Sequence, residues 1–184
     1  MIIVDSREKQ WQHIRDYFDR NGVPYEFPRK LDEGDYYNTE NPNVIVDRKA
    51  NLQEICGNLS RGNNNIIRFI KECKRAKERH LRFVVLIEGT NARNVNDLQG
   101  WQSKYGKFTG RWLADKMFAM TYSYDVEWVF CKKSETAKKI LEIVGYEENG
   151  KKTNIQNNKQ KDGTDDGNDG GFVTEGDQQR SVRA

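Results

Sequence analysis

The stretch from Gly34 to Lys49, GDYYNTENPNVIVDRK, limits the possible folds of this chain more than any other. Val44, Ile45 and Val46 are adjacent and β-branched, which favours an extended strand. Side chains alternate between the faces of a strand, so Asp47 and Lys49 share one face and Arg48 takes the other. Asp35 follows Gly34, with eleven residues between it and Asp47. Asn41-Pro42 predicts a turn between the two segments. A hairpin folded there carries Asp35 to the Asp47 side of the next strand. Two carboxylates and one ammonium then share a small space. A solvated hairpin with ordinary surface charges fits the same letters, so the rest of the chain must decide between the two.

Such a grouping suits phosphodiester cleavage. Mg²⁺ takes oxygen ligands, commonly one or two carboxylates, and keeps several waters. A bound divalent ion lowers the pKa of a water and withdraws charge from a phosphoryl oxygen. A lysine alongside can orient the attacking hydroxide or stabilise the charge of the transition state.

The chain has 184 residues, enough for one domain with a proper core. Its net charge of +3 hides an asymmetry. From Glu147 to the end there are eight acids and six bases, which leaves +5 on the body from Met1 to Tyr146. Between Arg61 and Arg82, eight Lys or Arg face only Glu72 and Glu78. A basic body points to an acidic partner, nucleic acid first. Cys56, Cys73 and Cys131 are far apart and form no zinc spacing with His13 or His80, so they read as reduced packing residues. The start, MIIVDSRE, lacks the pattern of a signal peptide, and no apolar run approaches a membrane span. The expected setting is intracellular, in the cytoplasm or nucleoid (of a host cell, for a viral chain), with no membrane partner.

Along the chain, Met1–Val4 predicts a buried strand that ends in Asp5-Ser6-Arg7-Glu8, the kind of strand end where sites collect in α/β sheets. Trp11, Ile14, Tyr17 and Phe18 fall at helical spacing over 9–20, and Asn21-Gly22 stops that helix. Val23–Phe27 predicts a second strand. Helices follow over 50–59 and 66–78, the second with Ile66, Phe69, Ile70, Cys73 and Ala76 inward and Arg68, Lys71, Lys74, Arg75 and Lys77 outward. That basic face either keeps the protein soluble or meets DNA, and the Arg61–Arg68 end follows closely on the Asp/Lys strand. Arg82–Glu88 predicts a buried strand in which Glu88 is either a surface terminus, the favoured reading, or a further acid near the site. A long polar loop over 90–105 follows, with a helical turn near Leu98 and Trp101. Trp101, Tyr105 and Phe108 beside Lys104, Lys107 and Arg111 suit either stacking on unpaired bases or packing under their own loop. A helix over 109–122, a strand over 126–130 and a last helix capped by Ser134 and closed by Gly145 complete the body. Segment 147–184 is rich in Asn, Gln, Gly, Asp and Lys and is expected to be a disordered polar tail.

With these residues laid out, the chain resembles the XPF/Hef family of structure-specific endonucleases in the PD-(D/E)XK superfamily. The resemblance rests on Val4-Asp5-Ser6-Arg7-Glu8, Gly34-Asp35-Tyr36 and Val46-Asp47-Arg48-Lys49, with Asn58-Leu59-Ser60-Arg61-Gly62 and Leu86-Ile87-Glu88-Gly89 in the right order. It covers 1–146 and implies an α/β fold, a central mixed β-sheet flanked by helices, of the restriction-endonuclease-like nuclease type. The implied activity is Mg²⁺- or Mn²⁺-dependent cleavage of DNA at branches, flaps or forks. Carried onto this chain, Asp35 and Asp47 are metal ligands with Asp5 in support, and Lys49 serves the water and the transition state. Arg48 and Arg7 position the phosphate or brace the carboxylates. Arg61, Arg68 and Lys71 are the candidate DNA contacts.

Three departures bear on this expectation. Asp47 stands where the family usually has Glu. The position of a further family acid falls at Gln53; either Glu54 next to it substitutes through a one-residue shift, or that acid is absent. No tandem helix-hairpin-helix domain follows, so branch recognition is expected from the nuclease domain itself, a homodimer or a DNA-targeting protein partner. The alternative function is a catalytically silent DNA-binding subunit of a nuclease complex. A basic helix serving RNA or a protein partner ranks third.

Overall fold

The apolar runs Val44–Val46 and Phe83–Ile87 lie side by side because each buries both faces. The computed structural model describes residues 1–28, 30–60 and 64–147. Its strands are β1 (Ile2–Val4), β2 (Tyr25–Glu26), β3 (Tyr36–Asn38), β4 (Asn41–Lys49), β5 (Arg82–Ile87) and β6 (Glu127–Phe130). They form one mixed sheet in the order β2-β1-β3-β4-β5-β6. β3 runs antiparallel to β1 and β4, and β4, β5 and β6 run parallel. The helices are α1 (Gln12–Arg20), α2 (Leu52–Leu59), α3 (Asn64–Glu78), α4 (Gly110–Tyr124) and α5 (Thr136–Ile143).

Strand alternation sorts the core into two layers. Ile45, Phe83, Val85 and Ile87 face α2, α3 and α4, where they meet Leu52, Ile55, Phe69, Cys73, Leu113 and Met117. Val4, Tyr36, Val46 and Leu86 face α1 and α5, where they meet Ile14, Phe18, Ile140 and Leu141. Period-two patterning thus feeds a helix layer on each side of the sheet. Asp47 and Lys49 continue the Ile45 face towards α3, and Arg48 continues the Val46 face.

Several boundaries differ from the sequence expectation. The β3–β4 turn is at Thr39-Glu40, and Asn41-Pro42 open β4. Pro42 is tolerated there because the strand is only beginning. α1 starts later than expected, at Gln12 after Trp11. α2 starts after Asn51, whose side chain accepts the Glu54 amide while the Glu54 carboxylate accepts the Ala50 amide. Ser134 is no helix cap; it lies in a 3₁₀ turn, Lys133–Glu135, ahead of α5. Phe118 of α4 is 48% exposed. The three cysteines are buried in the core. Among the described residues no helix is long and apolar enough to cross a membrane. The tail expected after Glu147 and Arg61 lie outside the described residues.

Candidate active site

Asp35 is placed by a glycine at which any side chain would be strained. Gly34 has φ +60°, and a Cβ there would lie 2.4 Å from Ile45 Cγ2 and 2.9 Å from the Val46 carbonyl. This close approach lets the Asp35 amide donate to the Val46 carbonyl at 2.8 Å while its own carbonyl accepts the Asp5 amide at 2.8 Å. The Asp35 carboxylate accepts the Arg48 amide at 2.8 Å. The loop ahead of Gly34 is clamped to α3 from two directions. Glu33, buried, takes Arg75 at 3.1 Å and Arg79 at 2.6 Å. Glu72 accepts the Gly34 amide at 2.7 Å.

Asp47 and Lys49 sit at the end of β4, two residues apart, and are 4% and 8% exposed. The Lys49 ammonium is 2.6 Å from Asp47 Oδ2. No other described donor reaches that buried oxygen. The ammonium also lies 5.8 Å from the centre of the Phe69 ring. Asp35, Asp47, Lys49, Glu72 and Arg68 open onto one cleft of about 570 Å³, completed by Ser6, Arg7, Lys9 and Gly34. At roughly 30 Å³ per water, that is room for a phosphate and its waters.

The charges in this cleft act on one another. Burial, and then the neighbouring Asp47, hold the Asp35 carboxyl well above the usual carboxylate range. Burial and Asp47 push Glu72 up to about 7. Burial alone would pull the Lys49 ammonium down, but Asp47 and Asp35 outweigh it and keep the group protonated. These carboxylates are crowded enough to resist full ionisation without further positive charge.

A divalent ion fits this donor set. Mg²⁺ needs only one or two carboxylates plus waters. Asp35 and Asp47 supply two, and apart from the Lys49 ammonium no described donor reaches the buried Asp47 Oδ2. Among the described residues no group of three or more His, Cys, Asp or Glu side chains is placed to hold a metal ion.

The other expected residues divide. Asp5 is turned away from the cleft: its oxygens accept from Arg7 Nε at 3.0 Å, Arg7 Nη2 at 2.7 Å and the Leu31 amide at 2.8 Å. Burial would raise its pKa, but these donors outweigh it and hold Asp5 below its ordinary value. Arg7 and Arg68 line the cleft, whereas exposed Lys71 does not. Arg48 lies on the opposite face of the sheet, where its guanidinium pairs with Glu8 and Glu88 and donates to the Lys9 carbonyl at 2.8 Å. Its link to the cleft is its backbone amide on Asp35 and its hold on the Glu8–Lys9 segment. Glu88 is no surface terminus: it is 2% exposed and also meets Thr136 at 2.7 Å and His13 at 2.8 Å. Neither Gln53 nor Glu54 reaches the cleft, since Gln53 accepts the Lys104 amide and Glu54 caps α2. The sequence reading gave Glu72 no role. The one available signal was its position four residues after Arg68, which puts both on the same helix face.

A mixed sheet with Asp35 beside β4 and Asp47 and Lys49 at the β4 end has the restriction-endonuclease-like α/β fold. Within that fold, a family model for the ERCC4 domain matches residues 4–143, and the chain belongs to this family. The match bears out the XPF-type resemblance read from its motifs. The solved structure of XPF from Aeropyrum pernix is similar at a TM-score of 0.57 and 21% identity, covering 78% of this chain and 62% of that one. XPF from Aeropyrum pernix in complex with DNA is similar at a TM-score of 0.58 and 20% identity, with the same coverage of 78% and 62%. The chain thus spans about three fifths of the length of the solved chains it matches. A comparison with curated proteins gives no match.

Proposed function

We propose that this chain is an Mg²⁺- or Mn²⁺-dependent endodeoxyribonuclease that hydrolyses phosphodiester bonds at branched or flapped DNA. The observation that carries this reading is the meeting of Asp35, Asp47 and Lys49 in one cleft, with the Lys49 ammonium 2.6 Å from the buried Asp47 Oδ2. Membership of the ERCC4 domain family supports it, as does the similar XPF chain described in complex with DNA.

In this reading Asp35 and Asp47 hold the ion, which when bound acidifies a water and withdraws charge from the phosphoryl oxygen. Lys49 donates to a non-bridging phosphoryl oxygen as negative charge grows there. Arg68, from α3, and Arg7 contact neighbouring phosphates and set the strand's register without reading its sequence. Asp5 holds Arg7 in place rather than the ion. Exposed Phe118 and Tyr122 on α4 offer an apolar face for a homodimer or a DNA-targeting partner that strengthens the grip.

One observation favours a second reading. Gln53, where the family often has an acid, is tied to the Lys104 backbone. A silent DNA-binding subunit fits that loss. The deciding experiment offers Mg²⁺ or Mn²⁺ with labelled duplex, flap, fork and four-way junction, with Asp47→Asn as control. Metal-dependent cutting of the branched substrates, lost in the variant, is the expected result. Binding without cutting would replace this reading with the silent subunit.

A further inference from the structure

The segment from Gln102 to Thr109 folds back on itself beside α2. Gln102 bridges Thr109, and the Ser103 amide donates to the Phe108 carbonyl at 2.9 Å. The Gly106 amide donates to the Ser103 carbonyl at 2.8 Å, and the buried Ser103 hydroxyl accepts the Phe108 amide at 2.9 Å. Gly106, at φ +66°, lets the tip close. From outside the turn, Gln53 Oε1 accepts the Lys104 amide at 2.7 Å.

The aromatics of this region have different surroundings. Trp101 and Phe108 pack on the core, and Phe108 stacks on Trp112 with ring centres 4.3 Å apart. Tyr105, at the tip, is 82% exposed. Its fold role is nil, yet its turn is held in place. The Lys104 ammonium lies 5.6 Å from the Tyr105 ring centre, and that of Lys107 lies 5.6 Å from the Phe108 ring centre. Neither lysine has an ion-pair partner among the described residues. The tip carries an exposed ring between two cations without ion-pair partners, with Asp97, seven residues before Lys104, as the acid nearest in sequence.

The turn is also close to the cleft. Gln53, which fastens it, follows Lys49 by four residues, so no more than roughly 15 Å of backbone separates the catalytic strand from the residue that holds the tip. A DNA strand advances about 3.4 Å per nucleotide in a duplex. A strand leaving the cleft towards α2 would cover the separation of Lys49 and Gln53 in about four to five nucleotides.

We propose that the Lys104–Lys107 turn is a stacking platform for an unpaired base of a DNA strand whose phosphate lies in the Asp35/Asp47 cleft. Tyr105 takes the base, and Lys104 and Lys107 take the phosphates on either side of it. The proposal rests on the nuclease reading of the cleft and goes further, since it assigns recognition of the single-stranded arm to a named residue. A paired base has no free face to offer, so the platform favours DNA with a single-stranded arm over blunt duplex. Gln53 has a role here as well: it anchors the turn in place of supplying an acid.

The test compares a blunt duplex with the same duplex carrying a single-stranded extension, with 2-aminopurine as the first unpaired base. Binding is measured by anisotropy with Ca²⁺ as the only divalent ion. In Tyr105→Ala the ratio of affinities, extended over blunt, is expected to fall about tenfold. The parent should quench the 2-aminopurine, Tyr105→Phe should retain both ratio and quenching, and Tyr105→Ala should lose both. An unchanged ratio in Tyr105→Ala, or a parent that binds no DNA, overturns the platform. A chain that stacks the base but never cuts in Mg²⁺ or Mn²⁺ keeps the platform and loses only the nuclease reading. A chain that cuts with the same ratio in parent and Tyr105→Ala loses only the platform.

Discussion

Arg48 and Glu88 end neighbouring parallel strands, and their side chains meet at 2.7 Å on the face of the sheet opposite the cleft. Both are buried, and Glu88 also holds His13 of α1 and Thr136 of α5. The pair therefore ties two helices to the strand that carries Asp47 and Lys49. Through Glu8 and the Lys9 carbonyl, Arg48 also fixes a segment that borders the cleft.

Removing one partner leaves a buried charge without its match, which typically costs about 3–5 kcal/mol. Glu88→Ala should fall at the low end, near 3 kcal/mol, because Glu8 still faces Arg48. Glu88→Gln, which keeps an acceptor, should lose less. Urea unfolding of the three proteins measures this. Equal midpoints for parent and Glu88→Ala would show that the network does not hold the sheet to its helices.

Gly34→Ala tests the placement of Asp35. A methyl at this φ +60° position meets the Val46 carbonyl as well as Ile45, and the backbone cannot give way without moving β3 from β4. Strain at such positions costs on the order of 1–3 kcal/mol. The structural readout is more specific: Asp35 should leave its bond with the Arg48 amide, and the thermal shift caused by divalent ions should shrink with it. Loss of stability with the full metal shift retained would mean that Asp35 does not depend on this turn.

The parts of the fold legible in the sequence were those set by local pattern. Val44–Val46 and Phe83–Ile87 are strands because β-branched and apolar runs leave little choice, and alternation alone put Asp47 and Lys49 opposite Arg48. What failed depended on distant partners. Glu88 reads as a strand end next to Gly89 until Arg48, His13 and Thr136 are brought around it. Glu72 reads as one acid on a basic helix until the Gly34 loop folds onto α3. The motif that contains Asp5 does not show its partners, the Leu31 amide, 26 residues away, and Arg7. The turn was misplaced because Asn-Pro is a strong local signal, and the β3–β4 pairing overrode it.

The crowded carboxylates predict a pH dependence with a definite sign. Glu72 is pushed from an ordinary value of 4.5 up to about 7 in the folded chain. Between those values the folded state binds more protons than the unfolded state, so this group's contribution to stability falls as pH rises through that window. Asp35 shifts in the same direction. Glu72→Gln should therefore gain on the parent between pH 5 and pH 8, by up to roughly 3 kcal/mol. Added Mg²⁺ should raise the melting temperature of the parent more at pH 8 than at pH 5, because the ion offsets the repulsion. Parallel stability curves for parent and Glu72→Gln would refute the shift.

Lys49→Met separates catalysis from binding. The methionine fills similar space but removes the charge beside Asp47 and Asp35. If Lys49 stabilises charge on the phosphoryl oxygen, cutting should fall about 100-fold to 1,000-fold, the usual loss for one such donor. DNA affinity should change far less, because Arg68, Arg7 and the platform at Tyr105 remain. Two carboxylates without their lysine attract a cation more strongly, so the thermal shift with Ca²⁺ should persist or grow. Single-turnover cleavage, anisotropy and thermal melts on the same preparation read the three effects. Cutting at the parent rate would remove Lys49 from the mechanism. Loss of the Ca²⁺ shift would mean that Lys49 holds the two carboxylates in place rather than serving the transition state.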